Sequence, residues 1–121
     1  MAEKEDVRAS LSHASALPEG GFVAVEAIID GEYESIILHR DGDDWRAWLN
    51  VCPHAGRRLD YLPGKFLIDK GLLVCAAHGA QFRTTDGECV AGPCRGSHLR
   101  AVAVEVADGE VVLSGSSAPR T

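Results

Sequence analysis

Hydrophobic and polar residues alternate along this chain in short runs, not at helical spacing. The runs "FVAVEAIID" (22–30), "ESIILHR" (34–40) and "WRAWLNV" (45–51) are rich in β-branched, aromatic and aliphatic residues, which predicts strands. Further on, "LRAVAVEVADGEVVL" (99–113) alternates at Val102, Val104 and Val106, then at Val111 and Leu113, as a half-buried hairpin does. Four Asp-Gly pairs (Asp30 with Gly31, Asp41 with Gly42, Asp86 with Gly87, Asp108 with Gly109) fall between such runs, and that dipeptide is a strong hairpin signal. No stretch carries a helical period beyond a turn or two. The predicted fold class is all-β: short antiparallel strands forming a sandwich or small barrel.

The middle of the chain breaks this rhythm. Between about residues 50 and 95 glycine and proline become frequent, and "FLIDKGLLV" (66–74) reads as a hairpin running directly into Cys75. Glycine-containing loops at strand ends let the backbone come close to a bound group. Residues 50–95 therefore read as a site-bearing insertion within one domain over residues 18–113. The small and polar stretches 1–17 and 114–121 read as tails.

Composition narrows the function. A chain of 121 residues, 45% hydrophobic, can bury one sizeable core. No apolar run approaches the roughly 18–20 residues that span a bilayer. The start, "MAEKEDVRAS", lacks the apolar centre of an export signal, so a cytoplasmic protein without a membrane partner is expected. A net charge of −6 argues against a nucleic-acid partner and suits either solubility or docking on a basic protein surface. In a reducing compartment four cysteines read as ligands or buried thiols before disulfides.

The candidate chemistry lies in "VCPHAGRRLD" (51–60) and "VCAAHGAQF" (74–82), which together read C-x-H-x20-C-x2-H: Cys52, His54, Cys75, His78. A cysteine nucleophile with a histidine base uses one such pair and leaves the second unexplained. Tetrahedral zinc accepts two Cys and two His, although zinc sites usually pair like with like, and here each pair is mixed. A two-iron cluster with divided ligation accounts for mixed pairs, since each loop then donates one ligand to each iron.

This double box resembles the Rieske [2Fe–2S] family. Cys52, Pro53, His54, Ala55 and Gly56 form the first box; Cys75, Ala76, Ala77, His78 and Gly79 form the second. "GPCRGSHL" (92–99) is similar to the proline-containing loop that covers the family's cluster, at Gly92 and Pro93. The resemblance implies a Rieske-like fold with an inserted cluster-binding subdomain and one [2Fe–2S] cofactor. It implies Cys52 and Cys75 on the inner iron and His54 and His78 on the outer one, with Gly56, Gly79, Ala80 and Phe82 around them. Two neutral imidazoles in place of thiolates raise the potential into a range of about −150 to +300 mV.

The sequence departs from the high-potential branch of that family. Arg57 and Ala77 stand where respiratory members carry a disulfide between the boxes. Ala80 and Phe82 replace a serine and a tyrosine whose hydroxyls bond to sulfur. A potential near the bottom of the range is expected, as in soluble Rieske-type ferredoxins. The implied function is electron carriage, without catalysis by the chain itself, from a flavoprotein NAD(P)H reductase to a terminal oxygenase, by a monomer. The alternative is a small subunit held permanently in a larger oxidoreductase. A complete oxygenase needs a further iron site and substrate domain, expected to be absent here. Cys89 and Cys94 read as buried thiols; His13, His39 and His98 read as surface or edge residues; Trp45 and Trp48 read as packing.

Overall fold

The computed structural model describes residues 10–13, 16–53, 56–77 and 79–114. It is built of ten short strands with no helix among the described residues: β1 Ser10–His13, β2 Phe22–Ile29, β3 Glu32–Asp41, β4 Asp44–Leu49, β5 Leu67–Asp69, β6 Leu72–Val74, β7 Gln81–Arg83, β8 Cys89–Ala91, β9 Val104–Ala107 and β10 Glu110–Leu113. They pair antiparallel in three sheets, ordered β1-β10-β9, β2-β3-β4 and β5-β6-β7-β8. β1 packs on β2 and β9 on β4, which closes the first two sheets around a common core.

Turn chemistry sets the registers. Asp30 and Gly31, and likewise Asp108 and Gly109, take positive φ at both central positions (53° and 85°; 55° and 77°). That is the twist a two-residue hairpin between right-twisted strands requires. Lys70 and Gly71 (52° and 80°) make the same turn between β5 and β6 without the aspartate. The pair Asp86 and Gly87 behaves differently, because it lies inside a longer loop between β7 and β8. There Gly87 is pressed under Trp48, and an added methyl would stand 2.7 Å from the indole Nε1.

β3 joins two cores. Ile36, Ile37, Leu38 and His39 are buried in succession. Side chains alternate across a strand, so Ile36 and Leu38 enter one core with Ala27, Ala47, Leu49, Val102 and Val111. Ile37 enters the other, with Trp48, Leu59, Leu73, Phe82 and all four cysteines. Backbone bonds from Leu49 N–H to Arg100 O and from Val102 N–H to Ala47 O then tie the segment after the small sheet back onto β4.

Three sequence expectations change. Residues 10–13, read as part of a tail, form strand β1 on β10, and Leu17 is buried. His39, read as a surface or edge residue, is 6% exposed: its ring stacks on Phe22 at 4.0 Å and its Nδ1–H donates to Gly21 O at 3.0 Å. Val106, expected to point inward, is 46% exposed, whereas Val111 and Val112 are both buried. β9 ends the ladder, while β10 is flanked by strands on both sides.

Candidate metal centre

The two boxes fold as matched loops. Cys52 follows β4; its N–H donates to Arg57 O at 2.7 Å, and its carbonyl accepts from Gly56 N–H at 2.8 Å. Cys75 follows β6; its N–H donates to Ala80 O at 2.7 Å, and its carbonyl accepts from Gly79 N–H at 2.9 Å. Gly56 and Gly79 also share the left-handed conformation, at φ 69° and 79°. The same five-residue reach from cysteine N–H to carbonyl and the same glycine closure occur twice. The tips of these loops, with His54, Ala55 and His78, lie outside the described residues.

Both cysteine side chains face the core, at 1% and 0% exposure. Two buried sulfurs at the ends of paired loops fit the sulfur half of a mixed sulfur and nitrogen ligand set, since thiolates are stable in an apolar setting when they hold a soft metal.

The loops are cross-braced. Leu59 N–H donates to Asn50 Oδ1 at 2.8 Å, and Leu59 O accepts from Ala76 N–H at 3.0 Å, so one residue ties the first loop to the second. Asn50 also donates from Nδ2 to Ser35 Oγ at 3.2 Å. The Asp60 carboxylate, with its side chain 2% exposed, receives two bonds from Arg58 (3.0 and 2.7 Å) and one from Gly64 N–H (3.0 Å). Burial alone would raise its pKa; the Arg58 bonds, the Gly64 amide and Asn50 outweigh that and hold it below its ordinary value. Arg57, Arg58, Asp60, Tyr61, Ala76 and Ala77 line an open cleft beside the boxes.

A third loop, the one expected to cover the cluster, packs against the second box. Gly92 and Pro93 are exposed at its tip, and Gly92 (φ 103°) rests on Ala80. Ala80 and Phe82 are fully buried, and neither side chain carries a hydroxyl. At the neck of this loop Cys94 donates to Cys89 Sγ at 3.0 Å. Burial first, then the neighbouring Cys89 and Cys52 thiols, pushes the Cys94 pKa up to about 12. No disulfide joins Cys89 and Cys94, and both are buried.

Asn50, Asp60 and the nearness of Cys94 to Cys52 escaped the sequence reading. The only signals were a polar residue ending a strand and an aspartate two positions after an arginine. A separate surface group, Asp86, Glu88 and His98, brings its polar atoms within 4.8 Å of one another. Arg83 already bonds both carboxylates, at 2.7 and 2.6 Å, and holds the Asp86 carboxyl down at about 2. The guanidinium supplies the charge that a cation would need to bring.

An all-β body bearing a small sheet, two matched cysteine loops and a third loop packed on the second of them defines the class of iron–sulfur domain. The chain belongs to the Rieske [2Fe–2S] domain family, which it matches over residues 8–112, and the domain binds one [2Fe–2S] cluster. Among solved structures it is similar to the ferredoxin of carbazole 1,9a-dioxygenase from Nocardioides aromaticivorans. The identity is 28% and the TM-score 0.66, over 89% of this chain and 97% of that one. The fold is shared with a ferredoxin of Sphingomonas yanoikuyae (21% identity, TM-score 0.65, 88% and 96% covered). It is also shared with a chain from a complex of reduced oxygenase and oxidised ferredoxin in carbazole 1,9a-dioxygenase (24%, 0.69, 91% and 94%). No curated protein sequence matches the chain. No helix among the described residues is long and apolar enough to cross a membrane.

Proposed function

We propose that this protein is a cytoplasmic, monomeric ferredoxin that takes single electrons from a flavoprotein NAD(P)H reductase and delivers them to a terminal oxygenase. The observation that carries the reading is the repeated loop geometry at Cys52 and Cys75. Two equivalent loops, each offering a sulfur from the core side and a histidine two or three residues on, suit two irons that differ in exposure. Cys52 and Cys75 would hold the buried iron; His54 and His78 would hold the other. The cluster supplies a one-electron couple, and the remaining work falls to the chain.

Burial of both sulfurs and of Ala80 and Phe82 keeps water away from the sulfur side. The Asn50, Leu59 and Asp60 bracing keeps the two loops at fixed separation, so little rearrangement accompanies a change of charge. Arg57 is exposed beside the two boxes, where it can steer an acidic partner surface, while Arg58 is paired with Asp60. The near-complete overlap with the Nocardioides ferredoxin, named for a dioxygenase system, supports an oxygenase as the acceptor.

Iron and sulfide analysis with electron paramagnetic resonance of the dithionite-reduced protein tests this. Equal iron and sulfide, and a signal of mixed sulfur and nitrogen ligation, are expected. A sulfide-free protein or an all-thiolate signal refutes the ligand assignment. Failure of a flavoprotein reductase with NADH to bleach an intact cluster refutes the carrier role alone.

A further inference from the structure

Cys89 and Cys94 have no part in holding the cluster, yet they stand on the two sides of the covering loop's neck. Cys89 begins β8, and the chain then turns through Gly92 and Pro93 and returns at Cys94. The neck is already narrow: Cys89 N–H donates to Ser97 O at 2.7 Å, Gly96 N–H to Cys89 O at 3.0 Å, and Arg95 N–H to Gly92 O at 3.2 Å. The sulfurs are 3.0 Å apart and need only about 1 Å of approach to reach bonding distance. The two differ in access: Cys89 is 1% exposed, while Cys94 is 7% exposed and lies between the exposed residues Pro93 and Arg95.

We propose that Cys89 and Cys94 form a reversible disulfide that clips the covering loop shut over Ala80 and the cluster-binding loops. The oxidant is a low-molecular-weight disulfide such as oxidised glutathione. The Cys94 sulfur attacks one of its sulfurs, the S–S bond breaks, and one small thiol leaves. Cys89 then attacks Cys94 in the mixed disulfide and releases the second thiol. The protein pair gives up two electrons and two protons, and the small disulfide becomes two thiols. Buried thiols react slowly, so the bond records sustained oxidation and ignores brief exposure. Once closed, the ring from Cys89 to Cys94 restricts the opening of the loop that would let a chelator or oxygen reach the cluster. The bond itself does not depend on the proposed electron-carrier role; only its effect on iron release presupposes the cluster.

The holoprotein is incubated with oxidised glutathione, denatured with a chelator present, alkylated and digested with trypsin. Cleavage after Arg83 and Arg95 places both cysteines in one peptide, residues 84–95, apart from those of Cys52 and Cys75. That peptide is expected to be unalkylated and two hydrogen masses lighter, with Cys52 and Cys75 alkylated. Two alkyl groups on it, a lasting glutathione adduct, or a link to the Cys52 peptide overturns the pairing. Oxidised holoprotein is expected to surrender iron to a chelator at least about threefold more slowly than reduced holoprotein, because the ring removes chain freedom. In Cys94→Ser the two rates should coincide. A bridge that leaves the wild-type rate unchanged overturns the clip.

Discussion

Gly92 lies so close to Ala80 that a methyl group on Gly92 would stand 2.8 Å from the Ala80 Cα. The covering loop therefore seats itself by backbone contact, and only a residue without a side chain permits it. The φ of 103° makes the same demand independently. Gly92→Ala should cost about 2–4 kcal/mol in unfolding free energy, combining backbone strain with a clash that neither partner can relieve by rotation. Urea denaturation measures the loss, and faster iron release to a chelator should accompany it. A variant as stable as wild type would show that the loop is not seated on Ala80.

Ala80 and Phe82 are buried and carry no hydroxyl to offer a cluster or ligand sulfur. A hydrogen bond that favours the reduced state by about 1.5 kcal/mol raises a one-electron potential by roughly 65 mV. Ala80→Ser combined with Phe82→Tyr should raise the midpoint by on the order of 100 mV in a redox titration. An unchanged midpoint rejects the hydrogen-bond explanation of a low potential.

His39 makes stability depend on pH. Burial is the main cause of its lowered pKa; the bond to Gly21 O and the nearby Asp41 pull it up, and Arg46 pushes it further down. The unfolded chain then binds a proton at this ring more readily than the folded chain does, starting as pH falls below the ordinary value of 6.5. Stability is complete above that pH and declines beneath it. His39→Phe, which retains the stack on Phe22, should flatten the decline between pH 7 and about 5.5 in thermal melts. Equal slopes for the two proteins would remove His39 as the cause.

Asn50 is the polar hub of the brace. Asn50→Leu leaves the Leu59 N–H buried without its acceptor and deprives Ser35 and Asp60 of a donor. A loss of about 2–3 kcal/mol is expected from that unpaired group, together with broadening of the cluster's resonance signal as the loops lose their fixed spacing. Loss of stability with an unaltered signal would confine Asn50 to a folding role.

The strands were legible because their causes are local. β-branched runs punctuated by Asp-Gly give β2 and β3 to within two residues and place the turn of the β9–β10 hairpin, though β9 starts only at Val104, and the Cys–His spacing marks the two loops. Where position depends on distant partners, the pattern misleads. Ser10–His13 looks like a tail because its small polar residues become a strand only on meeting β10. His39 looks superficial because Phe22 and Trp48, far from it in sequence, build its pocket. Lys70 and Gly71 turn as tightly as Asp30 and Gly31 with half the signal. The Asn50 brace has no motif at all, since it joins Ser35 on β3 to Leu59 and Asp60 on the loop after the first box.

The unbroken burial from Ile36 to His39 makes β3 a party wall. Neither half of the protein can melt and leave the other standing, because each would strip the insulation from its neighbour. Bleaching of the iron–sulfur colour and loss of β-sheet signal should then follow one sigmoid on heating.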